Sequence, residues 1–215
     1  MKISNRLKTI ASLVTPFKKV VDIGCDHGLL DIFLATHNNN TCIASDISVN
    51  ALNNANANIK KYNLNDKITT ILSDGTNNIH IDDNHTFILA GMGTTTIINI
   101  LKKSNYKYID ELIVQSNNDL YNLRKELVKL GYKIIDEVVV FEKKIYYVII
   151  KLIKGKTEYT EEEYYLGPVL LKKKDDMTNK YFDYILTKNK KIINQINNKN
   201  EQEKFILENK WIIER

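Results

Sequence analysis

Lys19-Val20-Val21-Asp22-Ile23-Gly24-Cys25-Asp26-His27-Gly28 decides the reading of this chain. An apolar run ends in Asp-Ile-Gly, and a turn of small and polar residues then enters a helical pattern at Leu29. At such a junction the glycines let backbone approach a ligand closely, and the helix start presents free N–H groups. Eighteen residues after Gly28 stands Asp46, at the end of a second apolar run, Ile43-Ala44-Ser45-Asp46-Ile47. An acid at the tip of the second strand suits two ribose hydroxyls. Together the two stretches read as a pocket for an adenosine-containing cofactor.

Outward from this core, strand-like runs at 19–23, 41–46, 68–72, 86–90 and 111–115 alternate with helical patterns at 29–36, 49–62, 95–104 and 119–130. That alternation predicts parallel strands with crossover helices, an α/β three-layer sandwich. Upstream, Ile3, Leu7, Ile10 and Val14 recur at helical spacing behind Ser4, a candidate cap. Gly131 ends the last crossover helix as a cap. The rhythm then changes. Residues 133–142 and 145–153 are both β-rich and only Lys143-Lys144 separates them, which predicts an antiparallel hairpin. A parallel sheet closed by such a hairpin resembles the Rossmann-like S-adenosylmethionine methyltransferase fold. A nicotinamide-binding domain would add another crossover helix, and Gly24 with Gly28 gives G-x-x-x-G rather than G-x-G-x-x-G.

Beyond Gly155 the composition shifts. Residues 158–163 are acidic and Lys172-Lys173-Lys174 is basic. Apolar residues from Tyr181 to Ile212 then follow helical spacing, with a break near 197–200, which predicts an antiparallel helix pair. The expected division is a cofactor-binding domain over 1–155 and a helical domain over 156–215. The chain has 215 residues, 43% of them hydrophobic, enough for a core but with no run of bilayer length. Its N-terminus lacks the apolar block of a secretory signal. Two cysteines, Cys25 and Cys42, make neither a disulfide framework nor a metal cluster, so a cytoplasmic setting is expected. A net charge of +5 permits a nucleic-acid partner without requiring one.

Further strand ends carry small or polar residues, where ligands bind in such sheets. In Ser73-Asp74-Gly75 an acid can accept from an exocyclic amine while Gly75 leaves room for a base; a plain turn is the alternative. Ala90-Gly91-Met92-Gly93 closes a strand and opens a helix, with Met92 either in the site or in the core. Gln115 and Asn117 carry amides that match a nucleobase edge, or cap the next helix. No P-loop, metal-ligand spacing or nucleophile–base pair is present.

These motifs are similar to those of a bacterial tRNA methyltransferase family, TrmK, along nearly the whole chain. Ser4-Asn5-Arg6-Leu7 resembles its N-terminal S-x-R-L helix, and Asp22-Ile23-Gly24-Cys25-Asp26-His27 its D-I-G-x-D-H loop. Ala90–Gly93 resembles its A-G-M-G segment, and Leu166-Gly167-Pro168 the G-P that leads into a coiled-coil-like C-terminal appendage. Thr94 stands where the family tends to have Gly, and Ser116 where it tends to have Pro; Thr94 is read as a helix cap. The resemblance implies transfer of a methyl group from S-adenosylmethionine to N1 of the adenine at position 22 of tRNA. It implies a cofactor site of Asp22, Gly24, Asp26, His27, Gly28, Asp46, Ile47, Asp74, Gly75, Gly91 and Met92. Asp26, Gln115 and Asn117 are the catalytic candidates, with Asp26 either assisting the developing charge or ordering its loop. Arg6, Lys172, Lys173, Lys174, Lys188, Lys190 and Lys191 are candidates for substrate contact, the lysines reading equally as a solvated helix face. The expected partner is tRNA, with no membrane and no metal, and a monomer is favoured. The alternatives are a methyltransferase acting on another RNA, a protein or a small molecule, and a non-catalytic binding module.

Overall fold

A computed structural model describes residues 1–80, 85–104 and 106–213. Its strands are Lys19–Ile23 (β1), Thr41–Asp46 (β2), Ile68–Leu72 (β3), His85–Met92 (β4), Glu111–Ser116 (β5), Tyr132–Glu142 (β6) and Ile145–Lys154 (β7). Its helices are Asn5–Leu13 (α1), Leu29–His37 (α2), Val49–Lys61 (α3), Thr94–Lys103 (α4), Leu120–Lys129 (α5), Glu161–Leu166 (α6), Asp176–Gln195 (α7), Lys199–Glu208 (α8) and Lys210–Ile213 (α9). One sheet runs in the order β3-β2-β1-β4-β5-β7-β6. The strands from β1 to β5 pair in parallel, and β7 pairs antiparallel with both β5 and β6. The expected sandwich with its terminal hairpin is therefore present.

Alternate residues of the central strands feed two cores. Val20, Ile88 and Ile113 pack with Ile10, Ile32 and Leu52 of α1, α2 and α3. Val21, Phe87 and Leu89 pack with Ile97 and Leu123 of α4 and α5. The C-terminal helices join this second core through Leu166, Phe182 and Ile212, so the tail shares apolar packing with the sheet. The caps are local and chemical. Ser4 Oγ accepts the Leu7 N–H at 3.2 Å, and Ser48 Oγ accepts the Ala51 N–H at 3.3 Å. In the acidic stretch, Thr160 and Glu163 form a capping box that starts α6. Asn198, within the predicted break, caps α8. Gln202 Nε2 donates to Ile193 O at 3.0 Å and Asn189 Nδ2 to Asn209 Oδ1 at 3.4 Å. Partners thus descend on one segment as they ascend on the other, the antiparallel arrangement.

The tail is fastened by a buried ion pair. Arg124 Nε donates to Glu137 Oε1 at 2.8 Å, and both side chains are fully buried. Arg124 also donates to the carbonyls of Tyr164 and Tyr165, while Glu137 Oε2 accepts the N–H groups of Val169 and Leu170. Gly167 sits against this pair at φ +102, and a Cβ there would lie 2.5 Å from Glu137 Oε2. That contact gives the Gly-Pro punctuation a physical cause.

Candidate active site

Strand order reverses between β1 and β4, which leaves a crevice at their carboxyl ends. A cleft of about 440 Å³ opens there. Of the residues singled out from sequence, Gly24, Asp46, Ile47, Asp74, Gly75 and Met92 line it. A smaller cavity of about 100 Å³ adjoins it at Gly24 and brings together Arg6, Asp22, Asp26 and His27. Gly24 has φ +81, and a Cβ on it would lie 2.5 Å from Met92 Cε, so glycine keeps this passage open. Gly28 lines neither cavity; it starts α2 at φ +65 and its Cα faces Ala55 of α3.

Asp46 orders the loop. Its Oδ2 accepts the Asp26 N–H at 3.1 Å and its Oδ1 the Ser48 N–H at 2.9 Å. Ser48 supplies the cap of α3, which leaves the Asp46 carboxylate facing the cleft. Ile47 is 70% exposed and forms part of the wall, an apolar plate suited to a ring. Asp26 has φ +51, and its carboxylate is largely exposed, 3.6 Å from His27 Nε2. Among the described residues that carboxylate accepts no backbone hydrogen bond, so loop ordering falls to Asp46. The residues present fit an adenosyl group: a two-oxygen acceptor, an apolar plate, and glycines where side chains would fill the cradle.

Gln115 is buried and both ends of its amide are used. Oε1 accepts from Arg6 Nη1 at 2.5 Å and from the Gly91 N–H at 3.1 Å, while Nε2 donates to Asn117 Oδ1 at 3.0 Å. Asn117 Nδ2 donates to Gly91 O at 2.8 Å, and the Asn117 N–H to Met92 O at 2.8 Å. Arg6, Gly91, Gln115 and Asn117 thus form one network on the rim beside Met92. Thr94 departs from its expected role: Gly93 occupies the cap position of α4, and Thr94 is the first helical residue. Its hydroxyl is drawn instead to Ser116 Oγ at 3.0 Å and to Asn118 O at 2.7 Å. The two departures from the family pattern therefore contact each other.

The lysines separate. Lys173 is engaged, its Nζ 2.7 Å from Asp136 Oδ1 and 2.5 Å from Glu137 O. Lys172, Lys174, Lys188, Lys190 and Lys191 are exposed, and Lys188 lines a groove that Asn117 also lines.

Sequence reasoning missed Asp31, which is fully buried in the first turn of α2. No donor lies in hydrogen-bond geometry to either of its carboxyl oxygens among the described residues. It faces Asp22, and burial followed by mutual repulsion pushes Asp31 well above the usual carboxylate range. Burial raises Asp22 too, with Asp31 and Arg6 acting the other way. A proton held by the pair supplies the missing donor. Burial likewise pushes the Cys25 and Cys42 thiols up, so neither is a nucleophile. Thr96, Asn99 and Lys103 of α4 also line the cleft, and their three- and four-residue spacing was the available signal. Among the described residues no group of three or more His, Cys, Asp or Glu is placed to hold a metal, and no helix is long and apolar enough to cross a membrane.

The family model of the methyltransferase domain matches residues 3–150. A Mycoplasma genitalium protein, provisionally named a tRNA methyltransferase, is 36% identical over 177 residues, 79% of this chain and 79% of its own. The Bacillus subtilis tRNA (adenine(22)-N(1))-methyltransferase is 31% identical over 145 residues, 66% of this chain and 61% of its own. The solved structure of M. capricolum TrmK with S-adenosyl-homocysteine superposes with a TM-score of 0.86 at 30% identity, covering 100% of this chain and 97% of that one. The chain belongs to the methyltransferase-domain family and, within it, to the TrmK family.

Proposed function

We propose that this protein methylates N1 of the adenine at position 22 of tRNA, using S-adenosylmethionine. The observation that carries the reading is the meeting at Met92 of the adenosyl-shaped cleft with the Gly91–Asn117 rim. The likeness to a tRNA (adenine(22)-N(1))-methyltransferase and to TrmK supports the substrate. The cofactor supplies an electrophilic methyl group on a sulfonium. Asp46 would hold the ribose hydroxyls, Ile47 and Gly75 would flank the base, and Asp74 would accept from its amine. Asp22, Gly24, His27 and Gly91 shape the rest of that pocket.

Adenine N1 carries an in-plane lone pair and is unprotonated near neutrality, so this chain needs no strong base. Its task is alignment. The Gln115–Asn117 network holds the Gly91 turn as one wall for the incoming base, and Arg6 closes the side above Tyr147, 5.5 Å from that ring's centre. The exposed Asp26 carboxylate stabilises the positive charge that develops on the base. Position 22 lies in a paired arm of tRNA, so the nucleotide must leave its stack. Residues 1–155 carry the cofactor, and residues 156–215 grip tRNA through Lys172, Lys174, Lys188, Lys190 and Lys191. We place the enzyme in the cytoplasm as a monomer; its two buried free thiols suit a reducing compartment.

The test is transfer of label from S-adenosylmethionine to tRNA, followed by mass spectrometry of the modified base. Transfer should vanish when adenine 22 is replaced. Transfer that persists would overturn the site, and a labelled small molecule or protein in its place would overturn the substrate.

A further inference from the structure

A groove of about 490 Å³ runs between α7 and the turn joining β6 to β7. Tyr146, Tyr181 and Tyr184 line it, with Lys144 and Lys188 on its rim and Asn117 at the end nearest the active site. The Tyr146 ring lies 5.1 Å from Tyr184 and 5.8 Å from Tyr181, centre to centre. Tyr184 is 45% exposed, a large aromatic face left open at the surface.

The rim is cationic. Among the described residues Lys143, Lys144 and Lys188 have no acidic partner. The acid on the groove wall, Asp119, is committed to capping α5, where it accepts from the N–H and Nδ2 of Asn122. The turn adds an independent observation. Lys143 and Lys144 have φ of +49 and +66, as two-residue hairpin turns require, yet asparagine and glycine are the residues that suit them. The chain places two cations at a strained tip beside the groove.

We infer that this groove is a tRNA subsite, in which an unpaired base stacks on Tyr184 and Tyr146 while Lys144 and Lys188 hold its phosphates. The inference rests on the tRNA reading above and names a part of the substrate contact. Aromatic faces bordered by cations are the recognition chemistry of unstacked RNA. The position fits as well. Asn117 lines the groove and donates its N–H to Met92 O, and Met92 lines the cleft, so two hydrogen-bonded residues link the two cavities. Drawing adenine 22 out of its arm breaks stacking for its neighbours, and the groove offers a replacement surface next to the reacting base.

The test uses the full chain and unmodified tRNA. Tyr184→Ala should raise KM for tRNA about tenfold or more, with the affinity for S-adenosyl-homocysteine and the thermal midpoint near wild type. Tyr184→Phe keeps the ring and should restore the wild-type KM. Lys144→Gln with Lys188→Gln should flatten the dependence of log Kd on log salt by about one to two. A Tyr184→Ala KM within about twofold of wild type, or an unchanged salt slope in the lysine pair, overturns the subsite and leaves the function standing. A wild-type chain that transfers no methyl to tRNA overturns both.

Discussion

Beside the cofactor cleft, the carboxyl groups of Asp22 and Asp31 are buried facing each other; at the junction with the C-terminal helices, the carboxylate of Glu137 is buried against the guanidinium of Arg124. The second pair is better supplied: among the described residues only Arg124 Nη2 of its polar side-chain atoms lacks a hydrogen-bond partner. Two backbone carbonyls accept from Arg124 Nη1, and two backbone N–H groups reach Glu137 Oε2. The first pair is undersupplied and compensates by holding a proton. Burial thus makes one site a clamp and the other a titrating element. The two pairs sit in different surroundings: the clamp fixes the tail on the sheet, whereas Asp22 lines the small cavity that adjoins the cleft.

Breaking the clamp should have the largest effect. Glu137→Ala leaves a buried guanidinium and should cost about 3–5 kcal/mol, read from the urea midpoint. Replacing the pair with Arg124→Met and Glu137→Leu should recover only part of the loss. The carbonyls of Tyr164 and Tyr165 and the N–H groups of Val169 and Leu170 would still lack partners. Full recovery would show that this pair is no more than a filler of volume. At the cleft, Asp46→Ala removes two loop hydrogen bonds and the proposed ribose acceptor. Affinity for S-adenosyl-homocysteine should fall about tenfold to a hundredfold, a loss of about 1.5–3 kcal/mol. Unchanged calorimetric affinity would take Asp46 out of the site.

The carboxyl pair is read by pH. Burial, the largest cause, brings Asp22 up to about 7 from an ordinary 3.8, so the folded state keeps a proton that the unfolded chain has released. Its stabilising contribution is complete in acid, declines above pH 4, and is gone once pH passes about 7. Between pH 6 and pH 7 it should fall by about 1 kcal/mol. Asp22→Asn removes the titrating carboxyl and should flatten that fall, in a comparison of the two proteins at each pH. Identical profiles would show that the pair does not titrate with folding.

Much of this was legible from local pattern. The bounds of β1, β2 and β3 coincide with their apolar runs, because a polar or glycine residue ends each. Gly24, Asp46, Asp74 and Met92 converge because strand ends of one parallel sheet share an edge. What stayed hidden depends on partners distant in sequence. Helical spacing places Asp31 in α2 but does not say that it meets Asp22. Arg124 reads as an ordinary helix cation until Glu137, Tyr164 and Tyr165 surround it. Lys173, read with its neighbours as a basic run, turns inward because Asp136 stands on the strand beneath it. Thr94 and Ser116 each read as a separate departure from a family pattern, and only the fold brings their hydroxyls together.

That hydroxyl pair is the neutral counterpart of the two charged ones and should show the smallest effect. Thr94 and Ser116 are buried, and their oxygens lie 3.0 Å apart between the end of β5 and the start of α4. Each hydroxyl has other acceptors as well: Thr94 reaches the carbonyls of Asn118 and Asp119, and Ser116 those of Met92 and Asn118. Loss of one partner therefore leaves no orphaned charge. Thr94→Ala and Ser116→Ala should each cost about 1 kcal/mol, because a neutral hydrogen bond contributes about that much net. Their contact predicts a coupling energy of at least about 0.5 kcal/mol in a double-mutant cycle. Strict additivity would mean that the two hydroxyls serve their backbone acceptors independently. The contrast with the charged pairs would then lie in shared networks as well as in charge.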